Sequence, residues 1–439
     1  MKRLLSVLLW SVIAAAFIGP GTVTTCAAAG AGLGLALLWA LVFSTLATLV
    51  LQEAAARLTV VSGRDLARAL SHRRGGTGSL GGVVLVVVAI LLGCAAYEAG
   101  NVLGAVAGMG MAVAAPGWLL TLGAGTAAGL LLWLGNPTTV ARALAAFVAV
   151  MGVAFLATAA LLAPAPGALL GGALVPSLPA GSGLLVLGLV GTTVVPYNLF
   201  LGSGVAAGQN LADLRFGLTV AVVLGGVISM GVLVVGTALE GPFGYDALAA
   251  VLADRLGGWA LLLFAAGLAA AGLSSAVTAP LAAAITARGL FGEEERPERW
   301  SPASWRYRGV WAAVLATGLV FGLTGVRPVP VILVAQAANG LLLPWVAVFL
   351  LLAVNDRRLM GPEALNGWFS NAAMALVVAV TLMLGAGNLL RALVAAAGLP
   401  PLGEGTLVAV ATLAGALLAV PVARRVARLR RGEKGSTPA

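Results

Sequence analysis

Apolar runs long enough to span a bilayer recur along the whole of this 439-residue chain. Twelve segments qualify: 4–29, 34–56, 80–108, 116–134, 139–163, 182–208, 213–237, 257–288, 309–325, 329–354, 367–387 and 405–423. The pattern predicts an all-α, polytopic membrane protein with twelve transmembrane helices. A polar stretch holding Glu240, Tyr245, Asp246 and Asp254 separates the seventh and eighth segments.

Two segments are interrupted. The first contains Gly19-Pro20-Gly21-Thr22-Val23-Thr24-Thr25, and the sixth contains Gly191-Thr192-Thr193-Val194-Val195-Pro196-Tyr197-Asn198. Glycine and proline in mid-membrane break the backbone ladder, and the freed groups must find partners or line a cavity. The breaks are five helices apart, an odd number, so the two helices cross in opposite directions. That is the signature of two inverted five-helix repeats with a substrate site where the breaks meet. The expected organisation is a first repeat over 1–165, a second over 180–356, two additional helices over 366–424 and a basic cytoplasmic tail over 425–439.

Composition sharpens this picture. Apolar residues make up 61 % of the chain and charged residues 9 %, against about 25 % charged in soluble domains. An ordinary cytoplasmic enzyme, a nucleic-acid binder and a disordered scaffold are excluded. The net charge of +10 comes from basic residues that flank the apolar runs and form no stripe. With the N-terminus placed in the cytoplasm, all of the 25 basic residues except Arg255, Arg327 and Arg391 fall on the inner side. The positive-inside rule thus predicts a plasma (inner) membrane protein with both termini cytoplasmic. Met1-Lys2-Arg3 before an apolar run looks like a signal peptide. Cleavage is not expected, because the run continues into a transmembrane bundle. Cys26 and Cys94 read as small buried thiols, and the only histidine, His72, lies in a basic loop.

At the two breaks the chain resembles the Nramp family, divalent-metal transporters with the LeuT fold. Gly19-Pro20-Gly21-Thr22 sits where the family has Asp-Pro-Gly-Asn, and Val195-Pro196-Tyr197-Asn198 where it has Met-Pro-His-Asn. Ala335-Gln336-Ala337-Ala338-Asn339-Gly340 looks like the family's tenth helix, and Asn355-Asp356-Arg357-Arg358-Leu359-Met360-Gly361 like the loop after it. Glu98-Ala99-Gly100-Asn101 is similar to the acidic stretch of the third helix. The resemblance implies a LeuT-fold secondary transporter working by alternating access. It also implies that the family's metal-binding Asp, Asn and Met are replaced here by Gly19, Thr22 and Val195.

Such a site lacks carboxylate and sulfur ligands for a transition metal. Thr22, Thr24, Thr25, Thr192, Thr193, Tyr197 and Asn198 offer donors around the breaks. Gly19 and Gly21 allow close backbone approach, and Gln336 borders the site from the tenth segment. Half-helix N-termini add free N–H groups and about half a positive charge each. This arithmetic makes a small anion, bicarbonate first, the expected substrate. Rival readings are a divalent-metal transporter of Nramp type carrying magnesium or manganese, an amino-acid transporter, and a transport-dead sensor. Glu98 and Asn101, three apart on one helical face, are candidates for a coupling proton or sodium ion. Glu53 and Arg57, four apart, read as a structural pair, and Asn339 as interhelical glue. No nucleotide-binding loop exists, so energy comes from an ion gradient or from the substrate's own. No cofactor, resident metal, nucleotide or nucleic acid is called for. The partners are a small ion, a coupling ion and the lipid bilayer.

Overall fold

The computed structural model describes residues 18–72, 80–134, 138–292, 296–396 and 402–431. All regular structure among the described residues is helical. The chain opens with α1 (Pro20–Leu33), α2 (Leu38–Ser62), α3 (Leu66–His72), α4 (Leu80–Ala112), α5 (Gly117–Leu134) and α6 (Thr138–Leu161). A short α7 (Pro166–Leu174) leads into α8 (Gly183–Thr193) and α9 (Pro196–Val205), the two halves of the sixth predicted segment. Next come α10 (Leu211–Gly236), α11 (Tyr245–Leu256), α12 (Trp259–Phe291), a 3₁₀ turn at Pro297–Trp300, α13 (Trp305–Leu323) and α14 (Pro328–Ala353). The chain closes with α15 (Arg357–Met360), α16 (Trp368–Ala396) and α17 (Glu404–Arg431).

Ten of these spans are long and apolar enough to cross a membrane. The twelve-helix count is not reached on that standard. The N-terminal half of the first segment lies outside the described residues, and α13 is helical but more polar. The polar stretch before the eighth segment is not all loop. It holds the amphipathic α11, which buries Leu248, Ala249 and Leu252.

The longest helices, α4 and α12 at 33 residues each, pack along one another and form the scaffold. Their contact depends on small residues. A Cβ on Gly272 would lie 2.5 Å from the Ala105 backbone nitrogen, so only glycine lets the backbones approach this closely. Packing around this pair is reciprocal. Helix α1 lies against α10, and α8 and α9 against α2; α6 lies against α12, and α14 against α4.

The core sits at the broken sixth helix. Its span is 89 % buried, whereas the α5 and α17 spans are 22 % and 17 % buried and present their apolar side chains outward. In lipid, exposed leucine and valine on peripheral helices are ordinary, because the solvent is itself apolar.

Candidate functional site

Both breaks have the same local cause. Proline clashes with helical backbone in the residue before it, so that residue is driven to extended geometry, while proline itself suits the first turn of a new helix. Gly19 is accordingly extended (φ −89°, ψ 179°) before Pro20, and Val195 (φ −80°, ψ 117°) before Pro196. The interruption in the sixth segment is confined to Val194 and Val195. Thr192 and Thr193 end α8, while Tyr197 and Asn198 lie in the first turn of α9.

The two breaks meet. Thr22 Oγ1 lies 2.9 Å from Thr192 Oγ1, a hydrogen bond between side chains 170 residues apart in sequence. Gln336 reaches them from α14. Its amide nitrogen lies against Gly21, where any Cβ would sit 1.9 Å from it. The space for a side chain on Gly191 is filled by the Gln336 backbone carbonyl, 2.0 Å from a Cβ placed there. Glycine at 191 is therefore required by close approach of backbone rather than by backbone angle, whereas at Gly21 the neighbour is the end of a side chain that can turn.

Tyr97 enters from α4. Its hydroxyl donates to the Gly191 carbonyl at 2.9 Å, and its ring stands edge-on to Tyr197 with centroids 5.3 Å apart. From α2, Thr48 donates to the Thr193 carbonyl at 3.2 Å, and the Gln52 amide donates to the Asn198 carbonyl at 3.1 Å. Thr24 is bonded to the Tyr245 hydroxyl of α11 at 2.7 Å.

Thr22, Thr24, Thr25, Thr192, Thr193, Tyr197, Asn198 and Gln336 are all buried. They are not equally engaged. Thr193 bonds back to Leu189 at 2.9 Å within its own helix, and Asn339 likewise bonds the Ala335 carbonyl at 3.1 Å. By contrast, the Thr25 and Tyr197 hydroxyls, both amide atoms of Asn198, and the carbonyl oxygens of Gln52 and Gln336 have no protein partner. Leaving a buried polar atom unpaired costs about 1–3 kcal/mol, and six of the eleven such side-chain atoms among the described residues lie around the breaks.

Glu98 and Asn101 are joined to each other at 3.3 Å and are buried. They face α13, where a Cβ on Gly318 would lie 2.9 Å from the Glu98 Cγ. Glu98 Oε1 has no partner. Neighbouring Tyr97 points to the break, so the acid stands beside the site and on another face of the same helix. Glu53 and Arg57 pair as expected, at 3.2 Å. Cys26 and Cys94 are free and buried.

Gln52, Thr48 and Tyr97 join the cluster at the breaks although no motif in the sequence singles them out. A signal existed: Thr45, Thr48 and Gln52 repeat at three and four residues within an apolar span, which puts a polar stripe on one face of α2. Among the described residues, no group of three or more His, Cys, Asp or Glu side chains comes together. The donors at the breaks are hydroxyl, amide and carbonyl oxygens and amide nitrogens.

The model of the family described as natural resistance-associated macrophage protein-like matches residues 11–391. The divalent metal cation transporter MntH of Xanthomonas campestris pv. campestris is 31 % identical over 84 % of this chain and 86 % of its own length. The MntH of Verminephrobacter eiseniae is 28 % identical over 80 % and 81 %. Among solved structures, a mutant of the Eremococcus coleocola manganese transporter superposes with a TM-score of 0.71 at 20 % identity, covering 96 % of this chain and 94 % of that one. That likeness carries the fold, which is the LeuT fold.

The expectation of a bicarbonate-type anion as substrate is overturned by these matches, since the curated relatives are divalent metal cation transporters. The sign argument behind it counted only half of each break. A break also exposes the carbonyl end of the preceding half-helix, with about half a negative charge, and in this fold such carbonyls coordinate cations. The match over 11–391, together with two proline-initiated breaks meeting at mid-bundle, identifies a multi-pass transporter of the plasma membrane, not an enzyme, and this chain belongs to the Nramp family.

Proposed function

We propose that this chain moves a hard divalent metal cation, magnesium ahead of manganese, by alternating access around the two breaks. The observation that carries the reading is the donor set. Thr22 and Thr192 bridge the breaks, and the side-chain oxygens of Asn198 and Gln336 stand buried and unpartnered close by. Oxygen donors suit magnesium, whereas thioether, thiolate and imidazole select softer metals. Magnesium sheds water reluctantly and is held through few protein ligands. A partly hydrated ion loses less hydration energy, which makes a site without a fixed carboxylate workable. The carbonyl end of α8 supplies the compensating partial charge. The curated relatives are named for divalent metal cations, which supports the same class of cargo.

Gly19 and Gly21 let the first break approach its neighbours closely, with the Gln336 amide packed against Gly21, while Thr24, Thr25 and Thr193 line the approach. Tyr197 presents its unpartnered hydroxyl from α9. Glu98, with Asn101 as its hydrogen-bond donor, holds the coupling proton or sodium ion beside the site. The repeats over 1–165 and 180–356 rock against each other, the two further helices over 366–424 stay with the scaffold, and both termini face the cytoplasm.

The test is uptake into proteoliposomes of isotopically labelled magnesium, manganese and cadmium. Saturable magnesium uptake, weaker manganese uptake and no cadmium uptake are expected. Cadmium uptake exceeding magnesium uptake would overturn the hard-cation assignment, and no uptake of any divalent ion would overturn the cargo class. Glu98→Gln should keep exchange down a gradient and lose accumulation against one. Unchanged accumulation would leave Glu98 a structural acid.

A further inference from the structure

Away from the breaks, α2, α10 and α16 enclose an open cleft of about 360 Å³. It lies near the ends of all three helices. Arg57 is just over one turn from the end of α2, Arg215 is in the opening turns of α10, and Phe369 and Ser370 are in the first turn of α16. Trp368 and Phe369 there are 82 % and 71 % exposed. Exposed aromatics at the ends of apolar spans sit at the level of lipid headgroups.

The cleft has two characters. One wall is apolar, built from Leu49, Leu218 and Met374, and the other is charged. Two guanidiniums share one carboxylate: Arg57 Nε lies 3.2 Å from Glu53 Oε1, and Arg215 Nη2 lies 2.7 Å from the same oxygen. One positive charge is left over. Arg57 is buried, and each of its other nitrogens already donates inward, to the Ala364 carbonyl and to Asn366 Oδ1. The side chain of Arg215 is 54 % exposed, and both of its hydrogen bonds go to Glu53. Its remaining guanidinium nitrogen is the donor left for a ligand.

We propose that this cleft binds one anionic phospholipid, its phosphate on Arg215 and its acyl chain along the apolar wall. The net charge of one calls for a headgroup with a single negative charge and no amine, such as phosphatidylglycerol. Guanidinium is the side chain best matched to phosphate oxygens, and the apolar wall has no use for an inorganic ion. The site is independent of the cargo and of the breaks.

Native mass spectrometry of the full chain, delipidated in detergent and then titrated with phosphatidylglycerol or phosphatidylcholine, tests this. One phosphatidylglycerol should resist displacement, and phosphatidylcholine should not replace it. Arg215→Gln should weaken that retention about tenfold, the worth of one charge-assisted contact. Ala373→Trp, which fills the cleft and leaves Arg215 in place, should abolish it. The thermal midpoint of the unaltered chain should rise with phosphatidylglycerol and not with inorganic phosphate. Retention of the lipid by both variants, equal retention of phosphatidylcholine, or a matching midpoint rise with inorganic phosphate would each overturn the proposal.

Discussion

Two buried polar regions of this molecule are built on opposite rules. Where the breaks meet, Asn198, Tyr197, Gln336, Gln52 and Thr25 keep atoms that nothing in the protein satisfies. Around Asn366, at the far end of α2, no buried polar atom is left over. Arg430 donates to Asn355 Oδ1 and to the Asn366 carbonyl, both at 2.7 Å, and Asn355 and Asn371 exchange bonds at 2.7 and 3.0 Å. Asn366 donates to Asn371 at 3.1 Å and accepts from Arg57, which also holds Glu53. The second region ties α2 to α16 and α17 and is complete without a guest. The first is not complete within the protein. Burial and polarity are common to both regions; what separates them is unspent hydrogen-bonding capacity.

The largest effect should come from breaking the closed network. Arg57→Met leaves the Ala364 carbonyl and Asn366 Oδ1 without their donor and should cost about 3 kcal/mol of stability. Thermal or denaturant unfolding in detergent measures it. A change within error would mean the network is not what holds these helices.

Next comes the attempt to give the open region a resident partner. Gly19 has a negative φ that aspartate adopts freely, at the cap position where aspartate is favoured. Gly19→Asp should fold. By placing a carboxylate near the cation, it should tighten manganese binding by about a hundredfold, within the roughly 4 kcal/mol of a unit charge pair at 4 Å and an effective dielectric of 20. Isothermal titration reads this, and unchanged affinity would place the cation elsewhere.

Asn198→Leu should separate function from stability. Removing an amide with no protein partner should leave the unfolding midpoint equal or raised, by about 1 kcal/mol, while magnesium uptake falls at least about tenfold. A loss of stability comparable to that of Arg57→Met would erase the distinction between the two regions.

The smallest effect concerns the bridge between the breaks. Thr22→Val and Thr192→Val each remove one half of the 2.9 Å contact, and the double variant should cost less than the sum, with a coupling near 1 kcal/mol. Additive losses would mean the 2.9 Å contact contributes nothing to holding the breaks together.

Much of this was legible in one dimension. A span that must satisfy its backbone internally in lipid writes its length directly into its apolar run, so the helices from 34–56 to 405–423 appear nearly where the runs lie. Proline acts on its immediate neighbour, so the breaks at Gly19 and Val195 were also readable. The family followed from short motifs around them. What the chain's order did not determine was which polar groups are already spent. Thr193 and Thr192 are adjacent and alike, yet one bonds its own helix and the other crosses to Thr22. Gln52 and Tyr97, from helices far apart in sequence, become parts of the site only because α2 and α4 flank the broken helix. The sign of the site was misjudged for the same reason. Side-chain composition is local, but the field at a break sums half-helix ends from both sides, and that sum depends on how the helices meet.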